Sequence, residues 1–182
     1  MERDEDIRIF TGVTGAAAAD LDALAQETEA QRQSGQLGKA KQLGRDLATF
    51  SARSPELVAL AQSFGFTPCP EWEQHLHVLM LFSAQTALRE LLTPELLAEA
   101  ALTTMNNTLI NREKAFWDTV SDGRIFTQYM LALRGGAEKQ DSARARVGAV
   151  FAQVCGQEDN PDLRELGATV FETAHKWIAA QL

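Results

Sequence analysis

Each of the three histidines in this chain has a glutamate nearby on the same predicted helix. Glu71 and His75 are four residues apart, and so are Glu73 and His77. That spacing places each pair on one face of a helix, where it can bind a metal ion or share a proton. His75 and His77 point about 200° apart on a helix, so they cannot bind the same ion together.

The third histidine closes a Glu-x-x-His motif, Glu172 to His175. Di-iron bundles need two such motifs and two further glutamates, and the second motif is missing here. A mixed metal site of Glu71, His75, Glu172 and His175 is geometrically possible if their two helices are neighbours, although nothing in the sequence requires it. The alternative is that these residues lie on the solvent side of amphipathic helices, and we predict no cofactor.

A run of neutral polar residues interrupts the long segment that follows Pro94. Thr104, Asn107, Thr108 and Asn111 fall on one side of a predicted helix, although threonine and asparagine are poor residues for a helix interior. A solvent-facing side would ordinarily carry Glu, Lys, Gln or Arg. The run therefore predicts either a hydrogen-bonding strip that faces a ligand or partner, or a helix break at residues 106–107 with Thr108 capping a second helix.

The tryptophans and several phenylalanines recur at helical spacing on apolar faces. Such a pattern is typical of core packing. The alternative is an inter-helical cavity that takes a small apolar ligand, with Trp72 among the residues that line it.

Composition and motifs exclude several classes of function. The chain has no Gly-rich phosphate loop, no His-Glu-x-x-His, no Cys-x-x-Cys and no Gly-x-Ser-x-Gly. Acidic residues outnumber basic ones 25 to 17, for a net charge of −8, so we expect no nucleic-acid partner. The two cysteines match no metal-ligand spacing.

Nothing in the sequence predicts secretion or a membrane partner. The first residues are charged, and the longest apolar run, Val78 to Phe82, is too short to span a bilayer. We therefore expect a soluble, cytoplasmic protein.

The elements that must position these residues are helices, because alanine and leucine dominate while valine, isoleucine and tyrosine are scarce. Apolar residues three and four apart predict an all-α, compact antiparallel bundle of about eight helices. The segment 94–120 is either one helix or two. Residues 1–14 are expected to form an N-terminal arm and residues 15–182 a single domain. The predicted helices are 15–34, 36–51, 55–64, 70–92, 94–120, 121–135, 138–155 and a last one that begins at Pro161. Ser54 and Asn160 are the predicted caps of the third helix and of the last.

The fold class and the absence of a catalytic motif favour a non-catalytic scaffold or protein-interaction domain. Leucine and alanine on several helix faces predict a homo-oligomer or another protein partner. A ligand-binding helical module and a metal-dependent enzyme that uses the His and Glu positions are the two alternatives.

Overall fold

A computed structural model describes residues 15–67, 69–135 and 142–182, with side chains from Asp20 onward. The predicted N-terminal arm, residues 1–14, lies outside the described residues. The chain divides into two compact units, Met1–Gly38 and Lys39–Leu182. That residues 15–182 form one domain stays a prediction.

The prediction of an all-α fold is confirmed, since the described residues contain nine helices and no strand. The ninth helix arises because the segment 94–120 forms two helices, with Glu113 between them. In chain order the helices are α1 Gly15–Gln33, α2 Gln36–Arg53, α3 Pro55–Ser63, α4 Pro70–Leu91, α5 Glu95–Arg112, α6 Lys114–Val120, α7 Arg124–Arg134, α8 Ala143–Val154 and α9 Pro161–Ala179. No helix in the described ranges is both long and apolar enough to cross a membrane.

Two predicted helix starts turn out differently. The Asn160 side chain accepts hydrogen bonds from the backbone N–H groups of Asp162 and Leu163, at 3.0 and 3.2 Å, so the predicted cap of α9 is confirmed. Ser54 occupies the N-cap position of α3, as predicted, but its side chain makes no capping hydrogen bond. The Ser54 hydroxyl instead donates to the Glu56 carboxylate, 2.5 Å away.

Helix α4 is the centre of the second unit. Every residue from 76 to 84 is buried, as expected from an apolar stretch that runs round all sides of the helix. Helices α3, α5, α7, α8 and α9 all pack against it, and α9 packs most extensively against α8. The ring of Tyr129 on α7 stacks on Phe82 of α4. Helix α4 therefore carries His75 and His77, and it also provides the surface against which α7 packs.

Two glycines let helices approach each other backbone to backbone. A Cβ atom at Gly44 would collide with the carbonyl oxygen of Ala101, and one at Gly148 would collide with that of Arg164. Both collisions are with backbone atoms, which cannot swing aside. The α2–α5 and α8–α9 contacts therefore depend on glycine at these positions.

Candidate functional site

The neutral polar strip lies on an uninterrupted helix. Helix α5 continues through residues 106–108 and ends at Arg112, so the predicted break at 106–107 with Thr108 as a cap is wrong. The break comes instead at Glu113, whose backbone has φ −125° and ψ 43°, outside the helical region.

Three of the four strip residues bond to the backbone of their own helix. The hydroxyls of Thr104 and Thr108 donate to the carbonyls four residues earlier, at 2.7 and 2.8 Å. The Asn111 amide donates to the carbonyl of Asn107, at 2.7 Å. Such bonds satisfy these side chains within the helix, so a polar strip does not have to end it. Asn107 and Asn111 are exposed, and Thr104 and Thr108 are half-buried.

The two Glu-x-x-x-His pairs of α4 lie in different surroundings. His77 is buried, and its Nδ1 lies 2.8 Å from the carbonyl oxygen of Ser51. His75 is half-buried, and its Nδ1 has no hydrogen-bond partner among the described residues. Burial lowers the pKa of His75, and the negative charge of Glu71 opposes that shift. Of the two pairs, only Glu73 and His77 contains a histidine that is held by a hydrogen bond. The sequence did not favour this pair over Glu71 and His75.

The other predicted metal ligands have different partners. Nε2 of His175 lies 3.0 Å from a carboxylate oxygen of Glu90. Glu172 pairs with Lys176 at 3.0 Å and with Arg144 at 3.6 Å. The hydrogen bond from Lys176, and then its charge, lower the pKa of Glu172.

The structure does not bring Glu71, His75, Glu172 and His175 together as one set. Within the described ranges, no group of three or more His, Cys, Asp and Glu side chains is placed to hold a metal ion.

Trp72 lies at the edge of the main core. Its ring contacts that of Phe66, with centroids 5.4 Å apart and planes tilted by 56°. The side chain is half-buried and packs against the apolar cluster that holds α4, α8 and α9 together. In the structure the Trp72 side chain packs at the start of α4.

Helix α7 has an apolar face that the second unit only partly covers. Of its 11 residues only Tyr129 is buried. Phe126, Met130 and Leu133 follow one another at steps of four and three and form one stripe, which we call the α7 face. Met130 is 41% exposed, and Leu131, on the outer side of the helix, is 62% exposed. The sequence showed this amphipathic pattern but not that it lacks a full partner.

A shallow groove runs between the α7 face and helix α4. Its volume is about 210 Å³, and its apolar floor is formed by Phe82 together with the α7 face. Gln85, Thr86, Arg89 and Glu90 of α4 form the polar wall. Arg89 pairs with Glu99 at 3.1 Å, and Glu90 meets His175; both side chains are more than half exposed. An apolar stripe with a charged border is the composition expected of an interaction surface.

Comparisons of this chain with protein families, with curated proteins and with solved structures give no significant match. The function of this chain must therefore be inferred from the chemistry of these surfaces.

Proposed function

We propose that this chain is a non-catalytic protein-interaction domain that self-associates through the α7 face. The observation that carries the proposal is the incomplete burial of this face. A strongly amphipathic helix normally packs its apolar stripe on the core, yet Phe126 and Leu133 are only half-buried and Met130 is exposed. Covering these side chains in a dimer would remove apolar surface from water, at a gain of about 25 cal/mol for each Å².

Charge at the two ends of the α7 face favours a second copy as the partner. Asp122 and Arg124 form an ion pair at the start of α7, at 2.7 Å. Arg134 lies at the other end of α7, and Arg89 and Glu90 of α4 line the groove beside the α7 face. The border of this face thus carries both signs of charge, although the whole chain has a net charge of −8.

A two-fold axis through the α7 face would run the two copies of α7 antiparallel. Asp122 of one copy would then approach Arg134 of the other. Closed two-fold dimers of this kind are the commonest oligomers, because one patch serves both copies. A stable dimer buries about 800 Å² on each side, so the interface must also include the neighbouring surface of α4.

A small apolar ligand in the groove is the second candidate function. The apolar floor favours it, but the groove holds about 210 Å³, below the roughly 300 Å³ at which ordinary ligand pockets begin. A flat apolar stripe with a shallow groove suits a protein surface better.

Light scattering coupled to size-exclusion chromatography tests self-association. The parent chain is expected to approach twice its mass of 20.0 kDa as its concentration rises. Met130→Glu should raise the dimer dissociation constant at least about tenfold, because a charge at the centre of an interface loses more than 1.4 kcal/mol of binding.

Ile110→Glu is the matched control for this substitution. Ile110 on α5 is 43% exposed, close to the 41% of Met130, but it lies outside the α7 face. It should leave the dissociation constant unchanged. A parent chain that stays monomeric at millimolar concentration, or equal effects of the two substitutions, would overturn the proposal.

A further inference from the structure

We propose that Glu73 and His77 form a binding site for a divalent transition-metal ion in the groove between α2, α4 and α6. This groove has a volume of about 520 Å³ and lies apart from the α7 face. Arg53, Gln74, Phe116 and Thr119 line it beside the two proposed ligands. The site does not depend on self-association.

The surroundings of His77 fix which nitrogen is available to the ion. A carbonyl oxygen can only accept a hydrogen bond, so Nδ1 of His77 carries the proton and donates it to Ser51. In the neutral ring Nε2 then holds the lone pair. Histidines that bind metals ordinarily donate their second ring nitrogen to a carbonyl or carboxylate in this way, which fixes both tautomer and ring orientation.

The His77 ring is held firmly in place. Its side chain is only 9% exposed, and the edge of the ring packs on Phe116, with centroids 6.3 Å apart and planes at 77°. A ligand whose rotamer is already fixed loses little entropy when the ion binds.

The Glu73 carboxylate stands where a second ligand would be needed. Its Oε1 lies 3.8 Å from Nε2 of His77, beyond hydrogen-bond distance. An ion at about 2.0–2.2 Å from each atom fits between them, slightly off the line that joins them. A proton on Nε2 would compete for the same place, so binding requires the neutral imidazole.

The remaining charges of the groove allow a cation. Arg53 is the only lysine or arginine among the residues that line the groove. Its guanidinium pairs with the carboxylate of Glu113 at 2.6 Å. The charge of Arg53 is therefore already paired with a carboxylate. With Glu73 ionised and His77 neutral, the site carries one net negative charge. Imidazole and carboxylate ligands together favour ions such as Zn²⁺ and Ni²⁺, and the open groove lets water complete the coordination.

The pair formed by Glu71 and His75 provides a control within the same helix. It has the same four-residue spacing, but no carbonyl orients His75, and its Nδ1 lacks a partner among the described residues. If spacing alone made a site, both pairs would bind. If the carbonyl of Ser51 is needed, only Glu73 and His77 would do so.

Isothermal titration of the full chain with ZnCl₂ at pH 7.5 tests the proposal. The parent is expected to bind one ion per chain, and both His77→Gln and Glu73→Gln should abolish that saturable binding. His75→Gln and His175→Gln should bind as the parent does. Circular dichroism checks that each variant keeps its helices. Because Glu73 is half-exposed, Glu73→Gln decides the question if His77→Gln fails to fold.

Three results would overturn the site. They are no saturable zinc binding by the parent, unchanged binding by Glu73→Gln, or loss of binding in His75→Gln. None of them bears on self-association, which is measured without added metal.

Discussion

The rings of Tyr129 and Phe82 stack with centroids 4.9 Å apart and planes 27° from parallel, and this contact joins α7 to the central helix. The ring is fully buried, and the hydroxyl has no hydrogen-bond partner among the described residues. Burial, and then the negative charge of Cys155, raise the pKa of Tyr129 far above its usual value, so the hydroxyl stays protonated. Its unmet donor costs the folded state about 1–3 kcal/mol.

Tyr129→Phe should therefore raise the free energy of unfolding by about 1 kcal/mol, because it keeps the stacked ring and removes the unsatisfied group. Urea unfolding followed by circular dichroism measures this. Tyr129→Leu is the control: it loses the ring stacking and should destabilise the chain. If Tyr129→Phe is less stable than the parent, the hydroxyl has a partner that favours folding.

Gly44→Ala should lower the free energy of unfolding by about 1–3 kcal/mol, the usual cost of forcing atoms into a packed interface. The added Cβ meets the carbonyl oxygen of Ala101, and the two helices must separate to make room. The measured quantity is again the free energy from urea unfolding.

Gly38→Ala in the same helix is the matched control for this substitution. Apart from its chain neighbours and the backbone of its own helix, no atom lies within 4 Å of a Cβ built at Gly38. Alanine there should leave stability unchanged or raise it by up to about 1 kcal/mol, through helix propensity alone. Equal losses for both glycines would mean that the α2–α5 contact does not limit stability.

Local patterns predicted much of this fold. The burial of the middle of α4 could be predicted from its apolar run Val78 to Phe82. The Asn160 cap could be predicted from the sequence Asn160-Pro161-Asp162. The strip around Thr108 was compatible with a helix break that does not occur, because the same hydroxyl can cap a new helix or bond back within an existing one. Sequence spacing does not distinguish these two outcomes.

Contacts between distant segments could not be predicted from the sequence. The carbonyl of Ser51 that orients His77 comes from a position 26 residues away, and Glu90 reaches His175 across 85 residues. Glu71 with His75 and Glu73 with His77 look equivalent as spacings, and only tertiary packing separates them. The partial exposure of the α7 face was likewise not predictable, since an amphipathic pattern shows which side of a helix is apolar but not how much of it is buried.

The two cysteines should react at very different rates with a disulfide reagent such as DTNB at pH 8. Cys69 is exposed, whereas burial, and then the negative charges of Cys69 and Glu71, raise the pKa of Cys155 to about 12. Thiolate is the reactive form, so Cys155 should stay nearly inert in the folded chain.

We therefore expect one fast thiol in the native protein and two after denaturation. Cys69→Ser should remove the fast reaction and Cys155→Ser should keep it. Rapid modification of Cys155 in the folded Cys69→Ser variant would contradict the burial seen here.

Acid should destabilise this chain partly through His75. Burial lowers the pKa of its imidazole in the folded state below the ordinary value of 6.5. As the pH falls through about 6.5, the unfolded chain takes up a proton that the folded chain does not, so the equilibrium moves toward unfolding. Well above pH 6.5 both states hold a neutral ring, and His75 contributes no pH dependence.

His75→Gln should consequently lose less free energy of unfolding between pH 8 and pH 5.5 than the parent does. Glu71→Gln should lose more, because the carboxylate that opposes the shift is gone and the pKa of His75 falls further. Urea unfolding at the two pH values measures both differences. His77 and His175 are present in all three proteins, so their protonation is common to each comparison. Identical losses in the parent and in His75→Gln would show that the half-buried ring accepts its proton in the folded state, and that its surroundings are more polar than the unpartnered Nδ1 indicates.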